Sequence, residues 1–251
     1  MTDRPPYPWD DEHPPQQWPS EPAELAWLNV PEVNSDAAGD SVYADTIRHC
    51  STWRQMADRS KTTTAHECTH GVNSQIRNAG GARMNGFYVL GGRGIALPEP
   101  GIRKRDVAAF VPAELRGDRF GTYVTGQSAW DGEPLYLFDE WVAYRNGAEC
   151  GLDMIARGEQ PDQTDLVRGP LEFSIYCLAM LAAVEAKAPG DLPALLPFFR
   201  WHWAAAWSVY RRGKDKFPFS EQDRYEAAFF GSAGAGLREF AERFEVQVKG
   251  V

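Results

Sequence analysis

From Ser41 onward, stretches whose apolar residues recur every three or four positions alternate with short segments broken by glycine and proline. Val42, Ile47, Cys50, Trp53 and Met56 keep the helical spacing, with Asp45, Arg48 and Arg54 between them, which predicts one core-facing helix from Ser41 through Met56. Residues 62–79 predict a second helix, with a run of threonines suited to capping its start and Gly80-Gly81 to ending it. Two short apolar runs, 86–90 and 95–97, flank Gly91-Gly92-Arg93-Gly94, the pattern of a β-hairpin. Residues 136–148 read as a helix closed by Asn146-Gly147; 171–188 and 192–212 are the two most apolar helical stretches. Amphipathic segments at 221–230 and 237–244 follow. The expected fold class is therefore α+β, mostly helical, with a small antiparallel sheet and a helical C-terminal part over 170–251.

Residues 1–22 are crowded with Pro, Trp, Asp and Glu and carry neither period, so they read as an extended arm preceding a single domain over 23–251. A net charge of −9 and a pI near 5.1 argue against a nucleic-acid binder, which needs a basic stripe to displace counterions. The start of the chain shows no apolar signal segment, so a cytoplasmic protein is expected. No membrane span is expected either: Glu172 and Glu185 interrupt one apolar stretch, and Pro193, Pro197, Arg200 and His202 the other. Cys50, Cys68, Cys150 and Cys177 are scattered without CxxC pairing and read as free thiols. Arg103-Lys104-Arg105 reads as a solvated turn.

The residues that carry chemistry are His66-Glu67-Cys68-Thr69-His70, inside the second predicted helix. Residues four apart share a helical face, so His66 and His70 can offer their imidazoles to one zinc ion. Glu67, on the neighbouring edge, can reach a water on that ion without coordinating it, as a general base must. Cys68 points away from this face. A catalytic site needs a third protein ligand. The extended pattern with a further glycine and histidine is ruled out, because those offsets hold Asn73 and Ile76. Glu140 is the better candidate: Asp139-Glu140 is an acidic pair inside an apolar, aromatic helix, and a buried carboxylate needs a compensating partner. The competing reading makes the pair a solvent-facing edge. His202, among tryptophans, is the runner-up ligand.

His66-Glu67-xx-His70 with a glutamate on a later helix resembles the gluzincin group of zinc peptidases. The aromatic residue after Glu140 and Ala143-Tyr144 beyond it are more similar to the anthrax lethal-factor-like branch than to the thermolysin branch, where an aspartate stands at the position of Tyr144. The resemblance covers two short helices. It implies a zincin-like domain, Zn2+ as cofactor, hydrolysis of peptide bonds in a peptide or protein substrate, and Glu67 as the base. An oxyanion donor is also required; Tyr136 and Tyr144, each one turn from Glu140, share the leading position, with Tyr123 and His202 in reserve. The predicted hairpin offers an edge to which an extended peptide can add. Two other classes stay open: a zinc hydrolase of a non-peptide amide, and an inactive scaffold of the same fold.

Overall fold

The structure, a computed structural model, describes residues 24–35, 37–56, 58–246 and 248; the Pro-rich arm expected over residues 1–22 lies outside the described residues. Helix α1 spans Val42–His49 and opens on Ser41, whose Oγ accepts from Ala44 N at 3.0 Å. It does not continue to Met56. Cys50 is extended, and Asn34 Nδ2 takes the Ile47 carbonyl at 2.6 Å together with that of Cys50, so a side chain replaces the next helical turn. A separate 3-10 turn covers Trp53–Met56.

Helix α2, Lys61–Gly80, starts on Ser60 rather than on a threonine, and ends at Gly81 with φ +87°. Thr62, Thr64 and Thr69 are buried instead; Thr64 Oγ1 donates to Met56 O and Thr69 Oγ1 to Ala65 O.

Strands β1 (Leu28–Asn29), β2 (Met84–Tyr88) and β3 (Arg93–Pro98) form an antiparallel sheet in the order β1-β3-β2. Tyr88 pairs with Gly94 and Phe87 with Ile95. The hairpin reverses through Leu90, Gly91 and Gly92, all at positive φ. Both of its sides are partly occupied. One side carries β1 along Arg93 and Gly94. On the other, Tyr88 N donates to Asn73 Oδ1 at 2.6 Å, Asn146 Nδ2 donates to Tyr88 O at 2.9 Å, and Arg145 Nη1 donates to Val89 O at 3.2 Å. Gly86 lies so close to α2 that a Cβ there would stand 2.6 Å from Asn73 O and Arg77 N. The β2 edge from Gly86 to Val89, one of the edges to which the sequence suggested that an extended peptide could add, is therefore occupied by α2 and α3.

Helix α3 runs from Tyr136 to Ala156, through Asn146-Gly147 rather than ending there. Gly147 serves packing. A Cβ at that position would lie 3.2 Å from Thr62 O and 3.4 Å from His66 Cβ, so the missing side chain lets α3 cross closely over the start of α2. Asn146 is buried and hydrogen-bonds Thr69.

Helices α4 (Arg168–Lys187), α5 (Leu192–Gly213), α6 (Gln222–Phe230) and α7 (Ala235–Arg243) make the C-terminal part helical. Helix α4 is long and apolar enough to cross a membrane, but 83% of the qualifying window is buried within the protein. Phe138 and Trp141 of α3, Phe173 of α4 and Phe198 and Phe199 of α5 belong to the larger of two apolar clusters. The smaller lies between α1, α2 and the hairpin. All four cysteines are free and buried. The molecule is thus α+β, mostly helical, with one small antiparallel sheet among the described residues.

Candidate metal centre

The crossing of α2 and α3 brings His66, His70 and Glu140 together. His66 Nε2 and His70 Nε2 are 3.1 Å apart, and Glu140 Oε2 stands 3.8 Å from the first and 3.6 Å from the second. Donors bound tetrahedrally at about 2.0–2.1 Å sit about 3.3 Å from one another, so a triangle with sides of 3.1, 3.6 and 3.8 Å is close to the size that a small divalent cation such as zinc spans. Glu140 is 4% exposed. Its Oε1 accepts from the Tyr136 hydroxyl at 2.5 Å, while Oε2 is buried with no hydrogen-bond partner. An orphaned carboxylate oxygen facing two imidazole nitrogens is an expensive arrangement that a cation relieves. The donor set therefore fits the metal, and Glu140 is not part of a solvent-facing edge.

His70 is fixed from behind. Its Nδ1 lies 2.5 Å from Asp139 Oδ2, and Asn73 Nδ2 donates to Asp139 Oδ1 at 2.6 Å. Asn73 also accepts from Tyr88 N, so one side chain ties α2, α3 and the sheet to the centre. His66 packs edge-on against the Tyr144 ring, 4.4 Å between centroids. Burial above all, with the neighbouring His70 and Arg119, holds the His66 pKa well below the ordinary imidazole value. Burial works in the same direction on His70, but the Asp139 and Glu140 carboxylates outweigh it and raise its pKa well above that value.

Glu67 is on the rim, where Arg59 Nη1 donates to its Oε1 at 3.0 Å. A cleft of about 400 Å³ opens over the centre, lined by Glu67, Tyr123, Tyr136 and the three donor residues among others. A second pocket, about 310 Å³, shares His66, Glu67 and Tyr123 with it and extends to Arg119, Tyr144 and Asp165.

The tyrosines divide the work. Tyr136 has committed its proton to Glu140. Tyr144 Oη meets Tyr123 Oη at 3.2 Å, so the residue held in reserve reaches the cleft beside a leading one. Burial, and after it the Glu140 charge, push the Tyr123 and Tyr136 hydroxyls above their ordinary pKa, keeping both protonated.

Tyr123 rides on a π-helical turn, Phe120–Thr125, an irregular backbone that leaves carbonyls in want of donors. Lys104 supplies them. It is 1% exposed, and its Nζ donates to Tyr123 O (2.7 Å), Gly126 O (2.6 Å) and Val124 O (3.3 Å). The solvated turn expected at 103–105 is correct only for Arg103 and Arg105, which pair with Asp131 at the surface.

His202 is not near the donors. It is wholly buried in α5, edge-on to Trp141 at 4.5 Å and stacked on Phe198 at 5.4 Å.

Sequence reasoning left Asp139, Asn73, Arg59 and Lys104 without a role in the site. Asp139 carried a signal, an acidic residue beside Glu140 in an aromatic helix, whereas nothing local marks the others. No protein-family model, curated protein or solved structure matches the chain.

Proposed function

We propose that the protein is a zinc metallopeptidase of gluzincin type, with a zincin-like arrangement of the helices around the metal. His66, His70 and Glu140 hold the ion. The observation that carries this reading is the convergence of two Nε2 atoms on a buried carboxylate oxygen that has no other partner. When bound, zinc supplies Lewis acidity to a water and to the carbonyl oxygen of the scissile bond.

The chain's own residues do the rest. Glu67 is the partly exposed carboxylate on the lip of the cleft; it takes the proton of the attacking water and returns it to the departing nitrogen. Arg59 keeps that carboxylate at the rim. Tyr123 and Tyr144 present hydroxyls to the same space and donate to the developing oxyanion, a contribution that in other enzymes is worth about 10²–10³ in kcat. Tyr136 acts through Glu140 instead: its hydroxyl occupies Oε1 and so presents Oε2 to the metal. Glu67 also argues against a scaffold with a purely structural ion, for which a general base has no use.

The test is elemental analysis of purified protein with His66→Ala, Glu140→Ala and Glu67→Ala variants, followed by a peptide-library digest. The expected result is near-stoichiometric zinc in wild type and Glu67→Ala, loss of zinc in the other two, and cleavage by wild type alone. Protein that stays zinc-free after metal-replete expression without chelators would overturn the proposal.

A further inference from the structure

The pocket on the Tyr144 side contains a cation that makes no short contact with a carboxylate. Arg119 lines it with a side chain only 17% exposed. Its guanidinium lies 4.7 Å over the ring of Tyr144, which is also a side-chain hydrogen-bond partner and which packs in turn on His66 and Phe173. Its carboxylate contacts are long: 3.8 Å to Asp165 and 3.9 Å to Glu172. Its Nε is buried without a hydrogen-bond partner.

The contrast with Arg168 is direct. Arg168 holds Glu172 at 2.8 Å, Asp118 at 2.6 Å and Glu221 at 3.3 Å. Glu172 Oε2 accepts from the Arg119 backbone N–H and from the Tyr176 hydroxyl. Glu172 is thus saturated by other donors. Asp165, on the rim with its side chain 47% exposed, is solvated and too distant for a hydrogen bond. A guanidinium carries five N–H donors in a rigid fork; with the neutral Tyr144 as a partner, Nε orphaned and no carboxylate at hydrogen-bond distance, its charge is poorly compensated in a partly desolvated pocket.

We propose that this pocket is a carboxylate-recognising subsite, with Arg119 as its specificity-determining residue. This rests on the hydrolase reading above, since the pocket shares His66 and Glu67 with the metal cleft. A substrate carboxylate replaces the two long contacts with short charge-assisted bonds and sets the scissile bond beside the metal. The carboxylate has two sources: the free C-terminus of a peptide, which makes the enzyme a remover of terminal residues, or the side chain of Asp or Glu next to the cleaved bond. The pocket volume of about 310 Å³ accommodates one residue of either kind.

The experiment is calorimetric titration of the full chain, as purified and again after chelator treatment, with three probes. N-acetylglutamine offers only an α-carboxylate, N-acetylglutamate α-amide only a side-chain carboxylate, and N-acetylglutaminamide neither. One anionic probe is expected to bind at least about tenfold more tightly than the neutral one, and Arg119→Gln to erase that advantage. Whichever anion wins identifies the source. Asp165→Asn changes only the exposed rim; by removing a competing negative charge it is expected to tighten the anion severalfold. Equal binding of all three probes, an advantage that persists in Arg119→Gln, or an unchanged affinity in Asp165→Asn would each overturn the subsite. Because the chelated arm contains no metal, failure of the zinc reading leaves this result interpretable.

Discussion

Asp139 Oδ2 lies 2.5 Å from His70 Nδ1, which assigns the Nδ1 proton to that contact and leaves Nε2 as the atom facing His66 and Glu140. A carboxylate behind a ligand histidine fixes its tautomer and raises its basicity. Asp139→Asn keeps the shape but removes the charge. Zinc affinity, measured by competition with a chromogenic chelator, is expected to fall about 10- to 100-fold while thermal unfolding of the metal-free protein changes little.

Lys104 caps three carbonyls of the turn that carries Tyr123. Replacing it with methionine leaves those acceptors unsatisfied, at about 1–3 kcal/mol. The expected signature is local: hydrogen exchange quickens at residues 120–126, while the amides of α4 and α5 keep their protection. Unchanged exchange in that turn would show that the lysine does not hold it.

Gly86 has no room for a side chain. A Cβ would stand 2.5 Å from Ile76 Cβ and 2.6 Å from the α2 backbone, which cannot rotate out of the way. Gly86→Ala is therefore expected to lower the unfolding free energy in urea by about 2–4 kcal/mol, more than overpacking a compliant core does.

Glu99 gives a pH dependence with a definite sign. Burial above all, then the charge of Glu133, pushes its carboxyl up to about 7, against the Leu135 N–H, Asn85 and Arg83, which pull it down. The unfolded chain titrates near 4.5, so between these values the folded state binds more protons. The contribution of Glu99 is fully present below about pH 4.5 and is lost as pH rises through about 7. Glu99→Gln removes that slope. Between pH 5 and pH 8, the difference in unfolding free energy is expected to move in favour of the variant by about 2–3 kcal/mol.

The motif helix, the hairpin and the apolar C-terminal helices were legible in the chain because they follow from local periods of 3.6 and 2 residues. His66 and His70 belong to this class: four residues of helix suffice to put both imidazoles on one face. Glu140 was legible too, since a carboxylate between Phe138 and Trp141 announces burial with a partner.

Tertiary structure decided what depends on how two elements are rotated against each other. Asp139 became the support of His70 only because α3 crosses α2 with that edge turned inward, 69 positions along the chain. Asn146-Gly147 carried a stop signal, but the close approach to Thr62 and His66 uses the glycine for packing and the helix runs on. The β2 edge at Tyr88 and Val89 looked available until Asn73, Asn146 and Arg145 took its backbone groups, and the basic run looked solvated until Lys104 found three carbonyls. Local sequence fixes the period of a helix and the residues on each face. Which face meets which partner is set by packing and by satisfying buried polar groups, and those terms are summed over the whole fold.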